Sequence, residues 1–450
     1  MKKILINSYL LTLVLSVLTF TACEVDEVVD PNNPSLGSVT SDASIAEVQI
    51  LVTGLEARHR VYFDNATEMF GSFGREVWAY FGSDPRFIGD WLGIGITETY
   101  PDFFASAGSF TSPYLAVKQA NVLIDAADAS SSLSTAEAAA VRGFANTVKG
   151  HQLLYPLLQQ FQNGIRIEVS DPLNPGPILG YDEALTAIRG ILDDGFRDLQ
   201  AGGSEFPVAL TSGYANYNTP AALAQVNRAI AARAALYAGD SPGALTALQN
   251  SFFDLNGDLS AGPAHVYGNA PDISNPLFYP LDAATSTILI VHPALIEDAL
   301  PGDTRLNKFA QRVNNPATNS DLRDAGGQTI PGEYQDARWT SNTSSIPYIR
   351  NEELVLIYAE ANARNGSTAE AISAINVVRN AAGVGDYTGG SSPDELIDEI
   401  LFQRRYSLWA EAGHRWVDLR RTGRLNSTYV DLRDQGSLFT QVARRVNESN

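Results

Sequence analysis

Apolar side chains recur at helical spacing over much of the chain. The period is clearest in four stretches, residues 115–129, 135–161, 221–239 and 392–412. Such spacing predicts helices that bury one face or are buried all round. Turn-rich stretches that also carry aromatic residues separate them, at 70–114, 203–220, 251–290 and 311–348. The pattern predicts a mainly α-helical protein with long irregular loop insertions.

Two of the predicted helical regions repeat each other. "ALYAGDSPGALTALQ" (235–249) aligns without a gap on "NARNGSTAEAISAIN" (362–376), which places Gly239 on Gly366. Glycine can adopt the left-handed conformation that ends a helix, and the Asp240 or Ser367 beside it can cap the next one. The segments resemble tetratricopeptide helix pairs. Their alanines Ala244 and Ala371 are 127 residues apart, far more than the repeat length of about 34, so long insertions must interrupt the scaffold.

The amino terminus has the order of a targeting segment. Lys2 and Lys3 precede an apolar run that ends near Phe20, and the only cysteine of the chain, Cys23, follows two small residues. This order resembles a bacterial lipoprotein signal peptide, in which the cysteine receives the lipid. An ordinary secretory signal with a cysteine there by chance is the alternative. We predict a signal peptide over 1–22, a flexible tether over 23–40 and one helical domain over 41–450.

Composition limits the possible partners. The formal net charge is −20, and only five of the 31 basic residues are lysines. A surface of this sign repels polyanions, so we expect no nucleic-acid partner. No apolar run after the first is long enough to cross a bilayer. We therefore expect membrane contact through the lipid anchor only.

The carboxy-terminal third carries the most specific motif. An Arg and Glu lead an Ala-Glu-Ala helix, followed by Ile-Asn, Val-Arg and Gly, then by an Arg-Arg helix, Gly, Arg-Trp and Asp-Leu-Arg-Arg. This order resembles the SusD/RagB family of nutrient-binding outer-membrane lipoproteins. The residues that we assign to this structural motif are Arg350, Glu353, Glu360, Arg379, Arg404, Arg405, Glu411, Arg415, Trp416 and Asp418.

The resemblance implies both a fold and a function. It implies a SusD-like scaffold of tetratricopeptide-like helix pairs on the outer face of the outer membrane. It also implies delivery of an oligosaccharide or other bulky nutrient to a TonB-dependent, SusC-like transporter, with no catalysis and no cofactor. Gln403 and Ser407 stand where the family more often has Glu, which marks a divergent member and leaves the ligand open.

Two other functions remain as alternatives, a secreted helical glycoside hydrolase and a protein-binding scaffold lipoprotein. Glu411 and Asp418 are seven residues apart, or about 10.5 Å along a continuous helix, whereas the carboxyl pairs of glycosidases lie about 5–9.5 Å apart. We therefore predict that both join an ion-pair network with Arg404, Arg405, Arg415 and Arg420.

The histidines show no metal-binding spacing, so we predict no metal site.

Aromatic residues in the loops are the best candidates for ligand contacts. Sugar rings present C–H faces that stack on flat aromatic surfaces. We predict that an exposed aromatic loop includes Trp78, Tyr80 and Trp91. The candidates further along the chain are Tyr279, Tyr334 and Trp339. We predict that Trp409 and Trp416, which lie in helical motifs, belong to the core.

Overall fold

The computed structural model describes residues 36–94, 106–171, 173–282, 288–312, 321–323, 327 and 329–444. The predicted signal peptide and Cys23 lie outside the described residues. The first described element is a short helix, Leu36–Ser41. The last residues of the predicted tether, 23–40, are therefore helical. No helix in this part of the chain is both long enough and apolar enough to cross a membrane.

The prediction of a mainly helical protein is confirmed. The α-helices, numbered α1 to α15 in chain order, are Leu36–Ser41, Ile45–His59, Phe63–Asn65, Gly71–Phe73, Arg86–Leu92, Thr111–Ala129, Thr135–Gln160, Tyr181–Ala201, Pro220–Tyr237, Ser241–Gln249, Ala294–Glu297, Asn351–Arg364, Thr368–Ala381, Pro393–Ser407 and His414–Arg421. A π-helical turn, Ala66–Phe70, joins α3 to α4. Short 3-10 turns lie at Phe161–Asn163, Ser212–Tyr214 and Thr304–Lys308.

The long helices pack in sequential antiparallel pairs. Helix α7 packs on α6 and α8, helix α9 on α8 and α10, and helix α12 on α13. Ser134 begins α7 with a capping box, because its hydroxyl accepts from Glu137 N while the Glu137 carboxylate accepts from Ser134 N. Helix α9 is rich in alanine and is buried on nearly all sides. Burial all round is typical of a helix at the centre of a scaffold.

The two aligned segments both form helix, tight turn and helix, as predicted. Gly239 and Gly366 adopt φ of 71° and 80° at the ends of α9 and α12. The Asp240 carboxylate caps α10 by accepting from Gly243 N at 2.9 Å. Ser367 precedes α13 without a side-chain cap, so the capping prediction holds for one of the two turns.

We expect Gly366→Ala to lower the free energy of unfolding by about 1 kcal/mol, because a left-handed φ is strained for a residue with a Cβ atom. Apart from the glycine and its two chain neighbours, no atom of the described residues lies within 4 Å of the position that this Cβ would occupy, so the backbone alone sets the cost. The measurement is urea unfolding of both proteins.

Gly190→Ala is the matched control for this turn. Gly190 lies on the exposed face of α8 at an ordinary helical φ, and its added Cβ would also meet nothing within 4 Å. The same substitution should therefore raise stability, by about 0.5–1 kcal/mol. Equal effects of the two substitutions would contradict the assignment of the turn.

One helix is shorter than its sequence predicts. The stretch 392–412 was expected to be helical throughout, but α14 ends at Ser407. Ala410 and Ala412 have φ of 53° and 58°, and Gly413 has φ of 78°. Arg350 and Lys308 donate to the carbonyl of Ser407, Arg350 at 2.5 Å, and so replace the helical hydrogen bonds that would have continued α14.

The loop stretches contain strands that the periodicity did not predict. The strands, numbered β1 to β10, are Val77–Tyr80, Ile165–Arg166, Ile178–Leu179, Ala264–His265, Ile288–Val291, Phe309–Gln311, Asp321–Arg323, Thr329–Pro331, Tyr334–Asp336 and Ile346–Pro347. Strands β1, β5, β9 and β6 form an antiparallel sheet in that order. The remaining strands pair as β2 with β3, β4 with β10 and β7 with β8. Strand β1 packs against the short helices α4 and α5 that flank it in the chain.

Candidate ligand-binding pocket

The prediction of an exposed aromatic loop at Trp78, Tyr80 and Trp91 is wrong. Their exposed fractions are 1%, 5% and 0%. Trp78 and Tyr80 lie two residues apart on β1, opposite Ile290 and Ile288. Side chains two residues apart on a strand point to the same face of the sheet, and this face is covered. The run "VWAY", rich in β-branched and aromatic residues, was a strand signal that the surrounding glycines and prolines obscured.

Trp91 is buried for a different reason. It lies on α5 and packs edge to face on Phe87, with ring centroids 4.8 Å apart. A Gly93 at φ 70° ends this helix, and Phe439 from the carboxy-terminal segment lies against that turn. The glycine that made the stretch look like a loop is thus a helix terminus in the core.

The later aromatic candidates are partly buried. Tyr279, Tyr334 and Trp339 pack against the main core while keeping some exposed surface. The Tyr279 hydroxyl and Trp339 Nε1 are buried without a hydrogen-bond partner among the described residues. Arg338 lies over Trp339 at 5.2 Å. Their contact with a ligand stays a prediction.

A pocket of about 230 Å³ lies between the carboxy-terminal end of α2, the turn at 211–214 and the segment around β4. It is lined by Thr53, Glu56, Ala57, His59, Arg60, Thr211, Tyr214, Ala264, His265, Val266 and Asp272. Two of its three walls come from stretches that the sequence marked as loops, 203–220 and 251–290. None of the predicted aromatic candidates lines it.

Glu56 joins α2 to the turn at 211–214. Its Oε1 accepts from Thr211 N at 2.9 Å and from Thr211 Oγ1 at 2.7 Å. Its Oε2 is buried without a partner among the described residues. Burial raises the pKa of Glu56 above its ordinary value, although the bonds from Thr211 oppose this. One carboxyl oxygen of Glu56 therefore binds the turn while the other is enclosed by the protein.

Arg60 holds the opposite wall. It lies one helical turn after Glu56, so both side chains are on one face of α2. Its guanidinium donates to the Asp272 carboxylate and to the carbonyl of Val266, and it lies over the Tyr267 ring at 5.5 Å. Its Nε is buried without a partner in the described chain. The positive charge of Arg60 is thus already matched by Asp272.

Histidines form the inner end of the pocket. His59 Nε2 lies 2.8 Å from His151 Nδ1, behind the lining. The His59 and His265 rings meet edge to face at 4.8 Å, and His265 stacks on Tyr348 at 4.7 Å. Burial lowers the pKa of His59 to about 3 and those of His151 and His265 well below the ordinary value. These imidazoles are therefore neutral at physiological pH.

The described residues contain no group of three or more His, Cys, Asp or Glu side chains placed to hold a metal ion. His59, His151 and His265 are buried in one aromatic cluster. Sequence reasoning did not single out Glu56, Arg60 or Asp272. For Glu56 and Arg60 the sequence signal was that two charged residues lie beside the apolar face of α2. Asp272 had no such signal.

The carboxy-terminal motif forms buried ion pairs. Asp418 accepts from Arg404 at 2.6 Å and from Arg421 at 2.8 Å. Glu411 pairs with Arg350 at 2.9 Å, and Trp416 is fully buried. The other motif pairs are Glu353 with Arg233, Glu360 with Arg421 and Arg379 with Glu399.

Three partners predicted for this network are elsewhere. Arg405 pairs with Asp298. Arg415 donates to the carbonyl of Tyr429, and Arg420 donates to carbonyl oxygens of the carboxy-terminal segment and α7. Arg405 lies on α14, whereas Arg415 and Arg420 lie at different angles around α15, so the three side chains reach different parts of the fold. These arginines fasten distant segments rather than join one network.

Several solved structures have a similar arrangement of helix pairs. A SusD superfamily protein from Bacteroides vulgatus superimposes with a TM-score of 0.64 at 15% identity, over 87% of this chain and 92% of its own. Surface glycan-binding protein A from Bacteroides uniformis gives 0.64 at 15% identity, over 90% of this chain and 95% of its own. At such identities the likeness shows the fold.

The sequence comparisons find a likeness to the same class over part of the chain. The SusD family model matches residues 316–440, the region of the buried ion pairs. SusD-like protein P38 of Formosa agariphila is 37% identical over 89 residues, which are 18% of this chain and 18% of that relative. The match over residues 316–440 and the local likeness to that relative support membership of the SusD/RagB family.

Proposed function

We propose that this protein is a cell-surface lipoprotein that binds a glycan or another bulky nutrient and delivers it to a TonB-dependent, SusC-like transporter in the outer membrane. The observation that carries the proposal is the match of residues 316–440 to the SusD family. The fold shared with surface glycan-binding protein A supports the nutrient class. The partner and the direction of transfer follow from family membership.

The anchor in this proposal is a lipid on Cys23. The apolar run before it and the absence of any other cysteine in the chain support this role. The residues between Cys23 and α1, which begins at Leu36, then act as a tether.

Binding without catalysis is favoured by the state of the carboxylates. Glu411 and Asp418, the pair most like a catalytic dyad, are both bound by guanidinium groups. Burial raises the pKa of Asp418, but Arg404 and Arg421 outweigh burial and leave the pKa below its ordinary value. A carboxyl held ionised in a buried pair cannot donate the proton that glycoside hydrolysis requires.

The proposal is tested with the full-length chain in its own cells. A fatty-acid probe should label the wild type and not Cys23→Ser, and a carboxy-terminal tag on the wild type should retain a TonB-dependent transporter. Purified protein should bind size-defined oligosaccharides from at least one common polysaccharide without releasing products. Calorimetric titration and product chromatography measure these two outcomes.

The alternatives give different results. Released sugars would identify a glycoside hydrolase. Retention of a protein partner without any glycan binding would favour a scaffold lipoprotein. Equal labelling of wild type and Cys23→Ser would refute the lipid anchor, because no other thiol exists in the chain.

A further inference from the structure

A second pocket, of about 220 Å³, lies where the end of α7, the start of α8 and the end of α9 meet α15. It is lined by Phe161, Gln162, Tyr181, Asp182, Tyr237, Val417, Arg420 and Arg421. It shares no lining residue with the pocket beside α2. An apolar cavity of about 150 Å³ is enough for benzene, so this pocket has room for a molecule with one ring.

Arg420 is held in the wall of this pocket with one donor left over. Its Nη1 and Nη2 donate to the carbonyls of Thr440 and Leu158 at 2.6 and 2.9 Å. Its guanidinium carbon lies 4.2 Å from the ring centroids of Phe161 and Trp416. Its Nε has no partner among the described residues, but it is not enclosed by the protein. Because Arg420 is only 9% exposed and lines the pocket, this N–H can donate to an occupant.

The positive charge of Arg420 has no carboxylate counterpart in the described part of the chain. Both of its hydrogen-bond partners are uncharged carbonyls. Burial lowers the pKa of Arg420 to about 10, and the phenols of two lining tyrosines oppose this, so the group is charged at neutral pH. Arg421 differs, because Glu360 and Asp418 bind it. A buried charge without a counterion is costly, and a ligand with one negative charge would offset it.

Tyr181 supplies a second polar group. Its hydroxyl has no partner among the described residues and is not enclosed either. Burial raises the pKa of Tyr181 and Arg420 opposes this, so the two groups lie near each other. A carboxylate has two oxygens, which can accept from the Nε–H and from the phenol together. Asp182 is exposed to solvent, where water and salt screen its charge.

The rest of the lining is largely apolar. It includes the rings of Phe161 and Tyr237 and the side chain of Val417, and aromatic rings pack favourably on other aromatic rings. We infer that this pocket binds a small aromatic monocarboxylate, of the size of benzoate, through Arg420 and Tyr181. The inference goes beyond the proposed function, because it needs neither the pocket beside α2 nor delivery to a transporter.

The test titrates the purified chain with benzoate, benzamide and inorganic phosphate in a calorimeter. Benzamide has the ring without the charge, and phosphate has the charge without the ring. We expect saturable binding of benzoate, with benzamide weaker by about tenfold or more, because a charge-assisted hydrogen bond is about twice as strong as a neutral one. Phosphate should also bind more weakly than benzoate, since it leaves the aromatic walls uncovered.

Tyr181→Phe is the decisive variant. It keeps the ring, which lies edge to face on Phe161 with centroids 4.9 Å apart, and removes only the hydroxyl. Benzoate should bind about tenfold more weakly, with an unchanged melting temperature. Tyr358→Phe is the matched control, because Tyr358 is a half-buried tyrosine of α12 that packs on Phe253 outside this pocket. It should bind benzoate as the wild type does.

Arg420→Gln tests the charge. Benzoate should then bind no better than benzamide. This variant also deprives two carbonyls of their donors. If it fails to fold, the ratio of benzoate to benzamide affinity in the wild type decides the role of the charge.

Three results would each overturn the inference. They are no saturable binding of benzoate, equal affinity for benzoate and benzamide, and equal benzoate affinity of Tyr181→Phe and the wild type. Oligosaccharide binding and transporter retention, measured on the same variants, should not change. The pocket can therefore fail this test while the proposed function stands, and benzoate can bind even if the delivery role is refuted.

Discussion

Trp91→Ala and Trp78→Ala are each expected to lower the free energy of unfolding by about 3–5 kcal/mol, as much as Trp416→Ala. All three indoles are at most 1% exposed. Removing any of them leaves a cavity that a close-packed core cannot fill. Trp416 sits between Phe70 and Phe73 at 4.9 and 5.1 Å and donates to the carbonyl of Phe439.

Urea unfolding and glycan titration of the three variants measure this expectation. Leu173→Ala is the control, because Leu173 is 89% exposed and its truncation should change stability by less than about 0.5 kcal/mol. A tryptophan variant that keeps wild-type stability and loses glycan binding would restore the aromatic loop as the ligand face. Loss of stability in all three places the ligand contacts elsewhere.

Glu76→Gln is expected to stabilise the protein at alkaline pH. Glu76 is fully buried, and neither carboxyl oxygen has a partner among the described residues. Burial raises its pKa from 4.5 to about 8, although Arg415, Arg405 and Arg338 act in the opposite direction. At neutral pH the folded protein therefore holds this carboxyl protonated.

The sign of the pH dependence follows from proton binding. Between pH 4.5 and pH 8 the folded state keeps a proton that the unfolded state releases, so this residue lowers stability as the pH rises. The full loss above pH 8 is about 5 kcal/mol. Glutamine carries no such proton. The variant should match the wild type near pH 4.5 and exceed it by several kcal/mol near pH 8.5.

Denaturant unfolding of wild type and Glu76→Gln at pH 4.5, 7 and 8.5 measures this pH dependence of stability. Glu370→Gln provides the control, since this exposed carboxylate on α13 should leave the difference between the three pH values unchanged. Stability curves of wild type and Glu76→Gln that run parallel over the whole range would show that Glu76 is ionised in the folded protein at neutral pH.

Short-range signals account for what the sequence by itself determined. The capping box at Ser134 and Glu137, the glycine turns at 239 and 366 and the helical periods all depend on residues within a few positions of each other. The resemblance to the SusD/RagB family rested on a dense local motif. The helix pairs and the helix ends that a glycine marks could therefore be predicted before any tertiary contact was known, whereas the end of α14 could not.

Long-range pairing decided the rest. Strand β1 pairs with β5, more than two hundred residues later in the chain, and this pairing buries Trp78 and Tyr80. The pocket needs Glu56, Thr211 and Asp272 together, although Thr211 is 155 residues from Glu56 and Asp272 is 212 from Arg60. No local period encodes such neighbours, because hydrogen bonds between distant segments form only when the helical scaffold brings the loops together. Sequence alone thus determined the helical scaffold, while the tertiary structure decided which aromatic rings are core and which residues line the pocket.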